Sequence, residues 1–270
     1  MPEEDTMVVR EDRPSRRDNP SLWAVTVTEL ARMRRGFLPR YILLAPIIIA
    51  VPLYLGSLFS PEGASGHTWE VFSNVTLEFW GVLVPMTAGL TAALSVRADQ
   101  DAWRLLLSYA VPRWRYFVGK FAALAVLNLV SSTVLLVVLV GGAALNGTLG
   151  SDTGVILAAS YLPWLGGLAT TAIALLVSVR WGLGPGIAVG VAGLLSGALT
   201  ADKVFWYAIP FAWPMRVILP VAGISPNGIP LPAGSPLADP GVIPVALALS
   251  VTLMAVVLLV GSMHMTRKEV

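Results

Sequence analysis

Cysteine is absent from the chain, which excludes disulfides, thiol catalysis and cysteine-based metal sites. Histidine occurs only at His67 and His264, too few for a histidine-rich metal centre. Charge is scarce too. Asp, Glu, Lys and Arg make up 13% of the 270 residues, against about 25% in a soluble domain. What fills the sequence is apolar: 56% of residues are hydrophobic and the mean hydropathy is +0.74. Such a composition describes a polytopic membrane protein, with a core made of helix–helix contacts and lipid-facing surface.

Residues 1–20 are polar and mixed in charge, and read as a disordered cytoplasmic tail. The stretch 21–38 reads as an amphipathic elbow helix: Ser21 can cap it, Leu22, Val25, Leu30 and Met33 fall roughly on one face, and Arg32, Arg34 and Arg35 crowd its far end. It serves equally as a simple juxtamembrane anchor. The first apolar run begins near Tyr41 with no short apolar region and small-residue cleavage site before it, so the first span is expected to be retained.

A membrane helix needs about 20 mostly apolar residues. That length predicts six spans, near 41–60, 75–97, 117–145, 154–179, 184–201 and 242–263, within a membrane region 39–265. A seventh candidate, 204–222, is broken by Pro210, Pro214 and Pro220 and would place Arg216 in hydrocarbon. Residues 204–240 therefore read as an extracellular or re-entrant segment. Charge bias supports this count. Six spans put sixteen of the eighteen Lys and Arg residues on the side of both termini, leaving only Lys203 and Arg216 opposite. The chain is expected in the plasma membrane as a multi-pass protein with both termini in the cytoplasm. The basic pI of about 9.1 is then a topology signal, and nucleic acid is not an expected partner.

Between the second and third spans runs SVRADQDAWRLLLSYAVPRWRYFVGKF. Asp99 or Asp101 can cap a short helix there, Trp103, Leu106, Leu107 and Ala110 share a face, and Pro112 ends it. Arg113, Arg115 and Lys120 follow, placed to hold the third span at the inner membrane surface. On physical grounds alone this helix either lies on lipid or serves as a handle for a partner.

The order Asp101, Trp103, Leu106–Leu107, Pro112–Arg113, Tyr116 and Gly119–Lys120 resembles the first cytoplasmic loop of ABC type-2 exporter permeases, and within them the lantibiotic-immunity and bacitracin-resistance permeases. IPFAWPMR at 209–216, before the last span, is a second similarity. Many relatives place Glu at the acidic position, where this chain offers Asp99 and Asp101, so the register of that contact stays open. The resemblance implies an all-α membrane fold, with an elbow helix, a cytoplasmic coupling helix and re-entrant helices before the last span. It also implies two copies of a separate ATPase subunit, which bind the ATP and Mg, and a second permease in a homodimer or heterodimer. By the same likeness Trp103 and Leu106 would be docking anchors, with Asp101, Arg104 and Arg113 setting orientation. The chain itself is expected to carry no cofactor and to be no enzyme. Its nearest approach to a phosphate-binding loop, VGKF at 118–121, lacks the first glycine and has Phe121 where Ser or Thr should stand.

Three other features have two readings each. Gly186, Gly190, Gly193 and Gly197 repeat at small-residue spacing, for intrachain packing or for a permease–permease interface with span one. Glu78, inside span two, either faces a translocation path or snorkels outward. Trp206, Phe211 and Trp213, with Phe205 and Tyr207, make either an interfacial aromatic belt or an outer gate, which the three prolines favour. Two glycosylation sequons, at Asn74 and Asn146, carry no weight, because the family resembled is bacterial. The function these features suggest is an ATP-driven exporter's permease, moving a peptide antibiotic, lipid or hydrophobic drug, with membrane lipid as its surroundings. The alternative is a membrane sensor that sequesters such a ligand. An integral-membrane enzyme is disfavoured, since no intramembrane His, Asp and Glu cluster.

Overall fold

The structure, a computed structural model, describes residues 20–34, 36–61, 67–100 and 112–267. Helices dominate, and among the described residues there is one isolated bridge, between Ile224 and Pro230, and no strand. In chain order the main helices are α1 (Leu22–Met33), α2 (Leu38–Phe59), α3 (Thr68–Gln100), α4 (Arg113–Leu145), α5 (Leu149–Gly166), α6 (Leu168–Trp181) and α7 (Leu183–Thr200). Two short helices, α8 (Trp213–Arg216) and α9 (Ile218–Ala222), precede α10 (Val242–Arg267).

Six helical stretches are long and apolar enough to cross a membrane: α2, α3, α4, the α5–α6 pair, α7 and α10. They match the six expected spans, but α3 and α4 each run for 33 residues. At 1.5 Å per residue each reaches about 50 Å, beyond an apolar slab of about 30 Å. The expected bounds already made the third span long, and they left off residues 68–74 and 98–100 of α3 and 113–116 of α4, which include Glu70, Asp99, Arg113 and Arg115. Segment 204–222 is not a seventh span: 3₁₀ turns at Trp206–Ala208 and Pro210–Ala212 lead into α8 and α9. Pro210 opens the second 3₁₀ turn, and Pro214 and Pro220 stand in the first turns of α8 and α9, where a missing N–H is tolerated.

Helix ends follow local chemistry. Ser21 Oγ accepts from Ala24 N at 3.2 Å and caps α1. Gly182, at φ +91°, makes the sharp turn from α6 into α7, a conformation side-chain-bearing residues rarely adopt. The span made of α5 and α6 breaks at Gly167, four residues after Pro163. Ser250 of α10 bridges that break. Its Oγ donates to Leu165 O or Gly166 O, at 2.9 and 3.0 Å, and accepts from Ala169 N at 3.3 Å.

The helix α3 lies at the centre, packed on α2, α6 and α7. Its tightest crossing is with α7, where a Cβ on Gly190 would lie 2.9 Å from Gly89 Cα. The other glycines of the α7 stripe are also filled from within the chain. A Cβ on Gly186 would meet Ser178 and Ala93, and one on Gly193 or Gly197 would meet Phe211. Of the two readings of that stripe, intrachain packing is the one these contacts express. The two largest apolar cores lie around Val96, Phe117, Leu124 and Leu175 near the basic helix ends, and around Phe72, Trp80, Leu139 and Ile156 toward the opposite ends.

Candidate coupling site

The loop bearing Asp101, Trp103, Arg104, Leu106 and Leu107 lies outside the described residues. Its two stems are described, and they are tied together. Asp99, in the last turn of α3, and Lys120, two turns into α4, form an ion pair of 2.6 Å. A third element joins them from α1. Glu29 Oε2 lies 2.7 Å from Lys120 Nζ, and Glu29 Oε1 lies 2.8 Å from Arg32 Nη1. Arg32 in turn pairs with Asp99. The four side chains form a closed ring of alternating charge, each carboxylate holding both cations.

The ring is buried. Lys120 is 1% exposed, Glu29 3% and Asp99 4%, while the Arg32 side chain retains 31%. Charges so placed are stable only when paired and hydrogen-bonded. Ser95 Oγ accepts from Lys120 Nζ at 2.9 Å, and Tyr116 OH donates to Asp99 Oδ2. The Lys120 ammonium also sits 5.4 Å from the Tyr116 ring centroid. Six side chains from three helices thus replace the water that burial removes.

Local sequence explains why α1 reaches the ring. Its buried residues are Val25, Thr26, Glu29 and Met33. Val25 and Met33 fall on the expected face with Glu29 between them, while Leu22, the first residue of the helix, is exposed. Gly119 provides the seat: a Cβ there would lie 2.7 Å from Val25 Cγ1. The Gly119–Lys120 pair therefore has two tasks, close approach and charge. Arg115 Nη1 adds a bond to Pro20 O at 2.9 Å, fastening the start of α1 to α4.

Asp99 lies in the last turn of α3 with its carboxylate in the ring, and the helix it was expected to cap lies outside the described residues. One expectation changes here. Lys120 is not held at a lipid surface, being enclosed by protein. Pro112 stands as the residue before α4, with its carbonyl accepting from Arg115 N and Tyr116 N, and Arg113 opens that helix. Glu29 is the functional residue that sequence reading passed over. The signal available was an acid four residues after Val25 on an otherwise basic helix.

The remaining candidates lie elsewhere. Glu78 is half-buried, with its carboxylate against Gly228 in the turn after α9. Trp213 is 3% exposed, packs with Ala169 and Ala246, and donates from Nε1 to Tyr207 O at 3.2 Å. Phe211 wedges against α7 at Gly193 and Gly197, and the Trp206 ring stacks 5.5 Å below the buried Arg216 guanidinium. Among the described residues no three His, Asp or Glu side chains converge on a metal-sized site.

A family model described as ABC-2 family transporter protein matches residues 26–192. The matched range begins inside α1 and contains every member of the charge ring and both stems of the loop. It stops before the aromatic segment at 204–222. Neither a curated protein nor a solved structure matches the chain. A match over more than half of the sequence, on a bundle of six membrane-spanning helices, places the chain in the ABC-2 transporter family, as a multi-pass permease subunit of the kind that works with an ABC ATPase.

Proposed function

We propose that the protein is the transmembrane half of an ATP-driven exporter that clears an amphipathic substrate, such as a peptide antibiotic, lipid or hydrophobic drug, from the cell or its membrane. In this reading the basic helix ends face the cytoplasm, and the 101–111 loop docks into a separate ATPase, with Trp103 and Leu106 as anchors. Two ATPase copies and a second permease complete the assembly, and the resemblance of the 101–120 segment to lantibiotic-immunity and bacitracin-resistance permeases supports that cargo class.

The observation that carries the reading is the charge ring at the loop's base. A loop that merely rested on lipid would have no need of stems cross-linked through buried ion pairs to a third helix. A loop that receives force does, because a soft base would absorb the motion. The apolar interior with few charges suits an amphipathic cargo.

The test is purification of the full chain from its native membrane. An ABC ATPase should accompany it, and Trp103→Glu should abolish transport-linked ATP hydrolysis while leaving expression and folding intact. Recovery without an ATPase, or full hydrolysis by the variant, overturns the proposal.

A further inference from the structure

Inside the bundle, well away from the charge ring, a small cavity lies where α3, α4 and the broken α5–α6 span meet. It holds about 30 Å³ of free volume. Its lining mixes aromatic and apolar surface with several polar groups, most of which are already paired. Trp164 Nε1 donates to Ala125 O at 2.9 Å, Ser131 Oγ to Ile42 O at 2.9 Å, and Thr171 Oγ1 to Gly167 O at 3.1 Å. Two are not. Trp80 Nε1 and Asn128 Oδ1 are buried without a hydrogen-bond partner, although both residues line the cavity. The Trp80 side chain belongs to a residue only 6% exposed.

One orphan is a donor and the other an acceptor. A carbonyl could satisfy only Trp80, and an ammonium only Asn128. A hydroxyl satisfies both, accepting from the indole N–H and donating to the amide oxygen. The volume agrees, since a water needs roughly 10–15 Å³ of such space and two to four polar partners. The position agrees as well. Gly167, where the span breaks, is part of the lining. Irregular backbone at membrane depth persists only against protein or a polar cavity, and interrupted helices recur at binding sites inside membrane transporters.

We infer that this cavity is a hydroxyl-binding site within the single permease chain, held by Trp80 Nε1 and Asn128 Oδ1. Its occupant is either water or the hydroxyl of a small alcohol entering from the lipid. Nothing in this inference depends on export or on the ATPase.

The experiment is radiolytic hydroxyl footprinting of the full chain in lipid nanodiscs. Radicals form from bound water, so a watered Trp80 should oxidise several-fold faster than Trp213, which is equally buried but has its N–H bonded to Tyr207 O. If Trp80 is instead as slow as Trp213, an alcohol occupant remains. In that case ethanol or 1-butanol should raise the melting temperature of the wild-type chain and leave that of Trp80→Phe unmoved. Slow oxidation together with no alcohol-specific stabilisation overturns the site.

Discussion

Replacing Lys120 with methionine tests the charge ring most directly. The side chains are of similar length, so the change removes charge and keeps most of the packing. Glu29 and Asp99 would then share one cation, Arg32, in a pocket where each is no more than 4% exposed. Breaking a buried pair by deleting one partner costs about 3–5 kcal/mol. Arg32 still touches both carboxylates, which favours the lower end of that range. For a chain of this size each kcal/mol moves the melting temperature by about 2–4 °C. A fall on the order of 10 °C is expected, read by thermal unfolding of the full chain in nanodiscs.

Two controls separate this account from a surface anchor. Lys120→Met combined with Glu29→Gln restores neutrality, leaving Arg32 paired with Asp99, and should recover a large part of the loss. Added salt should change the wild-type melting temperature little, because buried pairs are screened far less than exposed ones. A loss under about 1 kcal/mol, the level of an exposed pair, would refute the buried ring. So would simple additivity of the two substitutions, since members of one network must couple.

Gly190→Leu should prevent stable folding, because the new side chain meets Gly89 backbone at the α3–α7 crossing, where no rotamer can yield; recovery of monodisperse protein after solubilisation is the measure. Gly119→Val should push α1 off α4 through the Val25 contact at a cost of about 1–3 kcal/mol, seen as faster proteolysis near Ser21. Ser250→Ala removes a hydroxyl that serves both sides of the break at Gly167. It should destabilise the chain by about 1–3 kcal/mol, with amide exchange rising at Ala169.

The six spans were legible in the sequence because membrane solvation acts on composition over some twenty residues, a scale that hydropathy reads well. Segment 204–222 was legible for a complementary reason, since prolines act locally and three of them cannot share one straight helix. The charge ring was not. Its members sit at positions 29, 32, 99 and 120, so their meeting depends on how α1 packs against α3 and α4. Periodicity read α1 by its apolar residues and so passed over Glu29, which shares a face with Val25 and Met33. The glycine stripe of α7 shows the same limit. Its spacing signals close approach, but whether the neighbour is α3 or another chain is a tertiary fact, and here Gly89 and Phe211 take the place.

The ring's position has a mechanical consequence. Helix α3 ends one residue after Asp99, and α4 begins seven residues before Lys120. Any displacement that parts the two stems must stretch the Asp99–Lys120 pair, and any displacement that preserves it must carry α1 along through Glu29 and Arg32. The second course is cheaper. Parting the stems strands buried charges, at several kcal/mol, whereas α1 contributes only a twelve-residue helix with most of its outer face exposed. The stems and α1 are therefore expected to move as one body, and cross-linking α1 to α4 should leave any coupled motion intact.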